Sequence, residues 1–134
     1  MSKNIINKIK STLTANKILY KESNESSLIV PYRIEELNEY VNIAFFMNGN
    51  TIVGITFFRI KNKNESSIFK FCSTFNRLHT SPKLYASFGD TPPSFLCEIN
   101  YDLDIFPEEY IEKWVLATIK KLLSTIKELR CSDY

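Results

Sequence analysis

The sequence predicts an α+β fold, an antiparallel sheet of about five strands with helices packed on it in the order α-β-β-β-α-β-β-α. Two strand-length apolar segments flank Asn48-Gly49, a pair that tolerates the positive φ angles of a tight hairpin turn. Two further segments, 84–88 and 95–103, alternate polar and apolar residues around a loop with paired prolines. Helical spacing of apolar residues before, between and after these hairpins adds three helices.

Length and composition fit a single domain over residues 1–134. The chain is 44% hydrophobic and 24% charged, with ten Phe and seven Tyr among its 134 residues. A chain of this size buries roughly two-thirds of the surface that its unfolded state exposes, which leaves room for one core. The composition lacks the signature of disorder. We therefore expect one cooperatively folding unit.

The first third of the chain predicts a helix followed by at least one strand. Apolar residues at helical spacing follow Ser2, a suitable N-cap, and form one narrow stripe: Ile5, Ile6, Ile9 and Leu13. The β-branched and aromatic run 28–32 predicts a strand. Segment 33–40 fits either a short helical turn or a loop.

Two more helices follow the first hairpin. After the polar segment 61–67, apolar residues return at helical spacing: Ile68, Phe71, Cys72, Phe75 and Leu78. Pro107 suits the first position of the last helix, and acidic residues behind it suit the positive end of the helix dipole. The seam of that helix is long: Ile111, Val115, Ile119, Leu122, Ile126 and Leu129.

The first hairpin is apolar on both of its faces. One face carries Ile43, Phe45, Met47, Ile52 and Phe58, and the other carries Ala44, Phe46, Val53, Ile55 and Phe57. Helices can cover one side, so the other side exposes more apolar surface than a soluble monomer usually does. Either the N-terminal helix folds over it or a partner does. We predict a partner or self-association surface formed by Phe46, Val53, Ile55 and Phe57 and extended by Tyr85.

Charge and cysteine content indicate which partners and which cellular compartment to expect for the protein. The formal net charge is +2, with basic residues spread along the chain and balanced by Glu, which disfavours nucleic-acid binding. Three widely spaced cysteines fit neither a disulfide framework nor a zinc site, and a reducing cytoplasm is the natural expectation. The sequence predicts no signal peptide and no membrane span.

Catalytic motifs are scarce. The only histidine, His79, ends the middle helix, where a side chain that interacts with the last carbonyls is expected. Glycine occurs only at 49, 54 and 89, so the sequence lacks a phosphate-binding loop and a dinucleotide fingerprint. Glu98, Asp102 and Asp104 form the densest acidic patch and could bind Mg²⁺, or they could form the solvated face of the last strand and the loop after it.

The order of elements and two stretches of sequence resemble the YbjN family, which is similar in fold to type III secretion chaperones. The first stretch is FNRLHTSPKLYASFG, in which Asn76 closes the middle helix before a strand that contains Lys83 and Tyr85. The second is FLCEINYDLDIFPEEYIEKW, which leads from the last strand to the last helix and contains Tyr101 and Trp114. The resemblance covers most of the chain and implies no enzymatic activity and no cofactor.

Three functional hypotheses stay open. The leading one is a non-enzymatic module that binds a protein partner, or a second copy of itself, through sheet and helix surfaces. The mildly basic charge departs from secretion chaperones, which are usually small acidic dimers. An immunity protein that neutralises a toxin is the alternative among binding proteins. The alternative from another class is a metal-dependent enzyme that uses Glu98, Asp102 and Asp104.

Overall fold

The computed structural model describes residues 2–24, 26–60, 64–89 and 93–131. The strands are β1 (Lys21–Asn24), β2 (Ser27–Ile34), β3 (Glu39–Asn48), β4 (Thr51–Arg59), β5 (Lys83–Ser87) and β6 (Ser94–Asp102). They form one sheet that is antiparallel throughout, with the strand order β1-β2-β3-β4-β6-β5. The α+β class is confirmed, but there are six strands rather than five. The extra strand is β1, whose four residues are all exposed and carry no apolar alternation.

The first hairpin forms with its turn displaced by one residue from the prediction. Asn48 pairs with Thr51, so Gly49 and Asn50 form the loop in place of Asn48-Gly49. Gly49 has a φ of +60°, which glycine adopts at little cost. The displacement shifts the pairing register by two residues. Because side chains alternate with a period of two, each one stays on its predicted face.

Segment 33–40, for which the sequence allowed either a short helical turn or a loop, contains both. Strand β2 continues to Ile34, a 3₁₀ helix spans Glu35–Leu37, and β3 begins at Glu39. Asn38 between them has a left-handed φ of 50°, and its Oδ1 accepts a 2.7 Å hydrogen bond from Arg33. Asn tolerates this left-handed conformation better than most residues. Asn38 therefore suits the position that joins the 3₁₀ helix to β3.

Three helices complete the fold, α1 (Ser2–Ala15), α2 (Glu65–Leu78) and α3 (Ile111–Cys131). Helix α2 begins after Asn64, whose side chain accepts a 3.2 Å hydrogen bond from the backbone N–H of Ser67. A 3₁₀ turn, Glu108–Tyr110, leads into α3, and Pro107 is the extended residue before that turn rather than a helical one. Leu78, predicted in the apolar stripe of α2, is its last residue and lies exposed.

All three helices pack on the same side of the sheet. One core cluster unites the predicted stripes of α1 and α3 with the inward side chains of the sheet, among them Leu28, Val30, Ile43, Phe45, Ile52, Phe58, Leu84, Phe95 and Cys97. Helix α1 contacts α3 within this layer. The alternative in which the N-terminal helix folds over the second side of the sheet is therefore wrong.

Candidate functional site

The side of the sheet that faces away from the helices, here called the outer face, carries the candidate site. Pairing registers place its apolar side chains next to one another on five adjoining strands. The resulting apolar band consists of Ile29, Ala44, Phe46, Val53, Ile55, Phe57, Leu96 and Tyr85. None of these eight side chains belongs to the core cluster or packs against it. The band is thus a second apolar layer with no helix of the described residues over it.

The side chains of the band differ in solvent exposure along its central strand, β4. Val53 is 5% exposed. Phe57, four residues further along the same strand, is 62% exposed. Ile55 between them has intermediate burial. Along β4 the exposed ring of Phe57 and the buried Val53 lie two residues on either side of Ile55, and Tyr40 of β3 is a second exposed ring on the same face.

Charged groups mark the two ends of the band with opposite sign. Arg33 on β2 and Arg59 on β4 lie where the apolar residues end on one side. Asp102 on β6 pairs with Thr51 at the opposite end of β4. The two ends of the outer face therefore carry charges of opposite sign, and Glu98 and Lys83 lie between these ends, in the same cross-strand row as Ile55.

A small polar network borders the band near the β5 edge. The Tyr85 hydroxyl donates a short hydrogen bond to Glu98, and Nδ2 of Asn100 donates a second one to the same carboxylate at 2.9 Å. Burial, with the hydrogen bond and charge of Glu98 added, raises the pKa of the Tyr85 phenol. Lys83 pairs directly across from Glu98. The tyrosine ring is thus held in place at the rim, with its proton retained at neutral pH.

The structure brings the five predicted partner-binding residues onto one face. Phe46, Val53, Ile55 and Phe57 are adjacent on β3 and β4, and Tyr85 lies opposite Leu96 of β6. The sequence prediction missed Ile29 and Leu96. Their alternation on β2 and β6 was visible in the sequence, but only the strand order shows that both lie beside β3 and β4.

The three acidic residues of the metal-enzyme alternative do not converge. Glu98 and Asp102 are four positions apart on β6, which is roughly 13 Å along a strand. Asp102 accepts from the backbone N–H of Asp104 at 2.9 Å and so shapes the loop after β6. No group of three metal-binding side chains is assembled within the described ranges. This geometry gives the metal-dependent alternative no support.

The histidine and the two described cysteines sit in structural positions. His79 follows the last residue of α2 and stacks on Phe75 at 4.2 Å between ring centroids. Burial raises the pKa of the Cys72 thiol to about 11 and that of Cys97 to about 12. Both thiols stay protonated at neutral pH, a state in which sulfur is a poor nucleophile. Cys131, predicted near a frayed tail, ends α3, and its side chain lies outside the described part.

A separate cleft of about 340 Å³ lies between α1, the β3–β4 turn and the loop after β6. Ile5 and Met47 contribute apolar walls. Its carboxylates already have partners, since Asp104 accepts from Asn50 at 3.1 Å and Glu108 lies 3.5 Å from the Lys8 ammonium. Both carboxylates that the described residues contribute to the cleft are therefore already engaged.

Comparison with known proteins identifies the fold. No family model and no curated protein sequence matches the chain. Among solved structures, that of YbjN from E. coli matches with a TM-score of 0.70 over 93% of this chain and 90% of that chain, at 14% sequence identity. The YbjN-like fold that the sequence resemblance implied is therefore confirmed, and at this identity the likeness concerns the fold alone. No helix among the described residues is long and apolar enough to cross a membrane.

Proposed function

We propose that the chain is a protein-binding module that performs no chemistry of its own and docks its partner on the outer face. The observation that carries the proposal is the apolar band, which lies on five adjoining strands and stays outside the core. Contiguous exposed apolar surface marks interaction sites in folded proteins. Aromatic side chains such as Phe57 contribute large contact area with few torsions to immobilise.

The chemistry of the remaining side chains fits a binding role. A nucleophile needs an activated side chain, and the Cys72 and Cys97 thiols have raised pKa values instead. His79 stacks on Phe75, and its Nε2 lies 3.9 Å from a carboxylate oxygen of Glu128. Glu98 accepts hydrogen bonds from Tyr85 and Asn100 near the β5 edge, and Asp102 accepts one from the backbone of the loop after β6. These features favour recognition by surface over catalysis.

The proposal is tested by capture of partners from the native cell with a matched set of baits. Phe57→Glu should lose the proteins that the wild type retains, because a carboxylate in the apolar band must be desolvated when a partner docks. Phe69→Glu is the control, since Phe69 is a similarly exposed ring that lies on α2, away from the outer face. Equal capture by both variants, with melting temperatures unchanged, would place partner binding elsewhere.

A further inference from the structure

We propose that the cleft between α1, the β3–β4 turn and the loop after β6 is a second binding site, which takes an apolar side chain from a basic segment of a partner polypeptide. The cleft lies apart from the outer face, because Ile5 on its wall belongs to the core and Met47 packs against that core. The inference therefore goes beyond the proposed function and names a different surface.

The walls of the cleft suit a single large apolar side chain. Ile5 is buried, and Met47 and Leu103 beside it are half-buried. The volume of about 340 Å³ lies at the small end of the range found for ligand sites. Methionine is flexible and polarizable, so it adapts its shape to different apolar groups. The cleft therefore offers an adaptable apolar site to one anchoring side chain.

Exposed apolar side chains continue beyond the cleft. Ile105, Phe106 and Tyr110 are each at least half exposed, although they are large. Phe106 lines the cleft, Ile105 precedes it in the loop, and Tyr110 lies in the 3₁₀ turn before α3. Exposed apolar surface next to a cleft is typical of a binding site. A polypeptide segment is long enough to contact this surface and the cleft together, whereas a small molecule confined to the cleft is not.

The segment that borders the cleft is acidic, although the net charge of the chain is +2. Residues 102–112 include no Lys, Arg or His, and they contain the carboxylates of Asp102, Asp104, Glu108, Glu109 and Glu112. The N-terminus of α3 offsets only about half an elementary charge. Most of the negative charge beside the cleft is therefore left for a partner to neutralise.

The partners that the cleft carboxylates already have do not remove this charge. Asp104 accepts from the amide of Asn50, which is a neutral donor. Lys8 lies 3.5 Å from Glu108, and it is the one cation in the described part of the chain that pairs with the carboxylates of this segment. Both side chains of that ion pair are exposed, and exposed pairs contribute little. An incoming cation can therefore displace Lys8 at little cost.

Charge complementarity selects the chemistry of the partner. A segment in which Lys or Arg flanks a large apolar residue places its anchor in the cleft and its cations beside the carboxylates. An acidic segment with the same anchor meets like charge, which is unfavourable at an interface. We therefore expect the cleft to distinguish basic from acidic segments.

A local probe of the cleft exists because the chain contains two methionines, of which Met47 lines the cleft. With methyl-¹³C methionine in the full chain, NMR follows the Met47 methyl signal during titration with capped tripeptides. Lys-Phe-Lys carries the anchor and the cations, Lys-Ala-Lys lacks the anchor, and Glu-Phe-Glu reverses the charge.

We expect Lys-Phe-Lys to shift the Met47 signal saturably, and the other two tripeptides to bind at least about tenfold more weakly. A Met47 signal that does not move at millimolar Lys-Phe-Lys overturns the site. Equal binding of Glu-Phe-Glu overturns the basic partner, and equal binding of Lys-Ala-Lys overturns the apolar anchor.

Two neutralising substitutions test the charge on the protein side. Asp104→Asn keeps an oxygen that accepts from Asn50, and Glu108→Gln removes the second carboxylate of the cleft. The double variant should bind Lys-Phe-Lys about tenfold more weakly than the wild type. Glu35→Gln is the control, since Glu35 is an exposed carboxylate in the 3₁₀ helix between β2 and β3, at the far end of β3 from the cleft. Equal binding by the double variant and the control would contradict the role of charge.

Phe57→Glu separates this site from the proposed function. Phe57 is six residues from Thr51 at the turn end of β4, roughly 20 Å along the strand, so the variant should bind Lys-Phe-Lys as the wild type does. Loss of tripeptide binding in this variant would place the peptide on the outer face and overturn the cleft site. Unchanged partner capture by the same variant would refute docking on the outer face and leave the cleft site standing.

Discussion

Asn76 joins helix α2 to the outermost strand with a single side chain. Its Nδ2 donates to the carbonyl oxygen of Leu84 at 2.6 Å, and its Oδ1 accepts from the backbone N–H of Leu84 at 2.7 Å. These two bonds reproduce the pair that a neighbouring strand would form. Strand β5 is an edge of the sheet, and the amide covers part of its unpaired backbone. The sequence resemblance placed Asn76 at the close of the middle helix, which continues to Leu78, but no local pattern indicates a partner eight residues away.

Replacement of Asn76 should destabilise the fold more than its exposed position suggests. Asn76→Ala leaves two backbone groups of the buried Leu84 without their partner, and we expect a loss of about 1–3 kcal/mol in the free energy of unfolding. Asn76→Asp keeps an acceptor but turns a carboxylate oxygen toward a carbonyl oxygen, so its loss should be at least as large. Asn50→Ala, which removes an exposed amide, is the control and should change stability by less than about 0.5 kcal/mol. Urea unfolding measures all three, and equal stability of Asn76→Ala and the control would refute the role of the clamp.

At the scale of elements, α3 approaches β4 closely at Gly54. A Cβ added to Gly54 would lie 2.7 Å from Cγ2 of Thr118 and 3.2 Å from the Phe45 ring. The helix rests directly on the strand backbone because position 54 has no side chain. Trp114, one turn earlier on α3, packs edge-on against Phe45 at 5.8 Å between centroids. The missing side chain at Gly54 therefore sets the distance between α3 and β4.

Gly54→Ala should therefore destabilise the protein, although alanine is ordinarily the better residue in a strand interior. Overpacking of this kind costs about 1–3 kcal/mol. Gly89→Ala is the control, since an added Cβ there meets nothing within 4 Å, and it should be near neutral. Thr118→Ala in the Gly54→Ala background should restore part of the loss, because it removes the clashing methyl group. It also removes a buried hydroxyl that has no hydrogen-bond partner within the described part of the chain. Additive losses in the double variant, measured by thermal and urea unfolding, would contradict this account.

Sequence patterns predicted most elements but not their placement. The two faces of the first hairpin followed from alternation alone, and the turn at Gly49-Asn50 differs from the prediction without moving a side chain to the other face. Strand β1 was invisible because its polar residues carry no alternation and it forms only by pairing with β2. The apolar stripe of α1 showed that this helix is buried, but not on which side. That choice depends on contact with α3, which no local signal contains.

The whole molecule has a single helical layer on a sheet that is apolar on both sides. The core between helices and sheet unites residues from α1 to α3, from Ile5 to Leu129. The candidate site is the remaining apolar layer, and its central members on β3 and β4 could be predicted because they alternate with core residues. Its full width could not, because Ile29 and Leu96 join it only through the strand order. The fold is therefore held together by the core between the helices and the sheet, and the apolar band on the outer face is not part of that core.

A single core predicts that the described elements unfold together. Trp114, the only tryptophan, lies between Phe45 of β3 and Tyr101 of β6, so its fluorescence reports the contact of α3 with the sheet. Far-ultraviolet circular dichroism reports all helices and strands. We expect both signals to give the same urea midpoint, as in a two-state transition.

Truncation of one core side chain should shift both signals by the same amount. Leu122 is fully buried in α3, and Leu122→Ala should lower the free energy of unfolding by about 2–5 kcal/mol, because it removes apolar contacts and leaves a cavity. Leu78→Ala, at a leucine that is 71% exposed, is the matched control and should change stability by less than about 0.5 kcal/mol. If Leu122→Ala moves the fluorescence transition and leaves the dichroism transition in place, α3 and the sheet form a unit separate from the rest. A loss as small as that of the control would instead mean that the stripe of α3 is free surface, since only a packed leucine leaves a void when it is cut back.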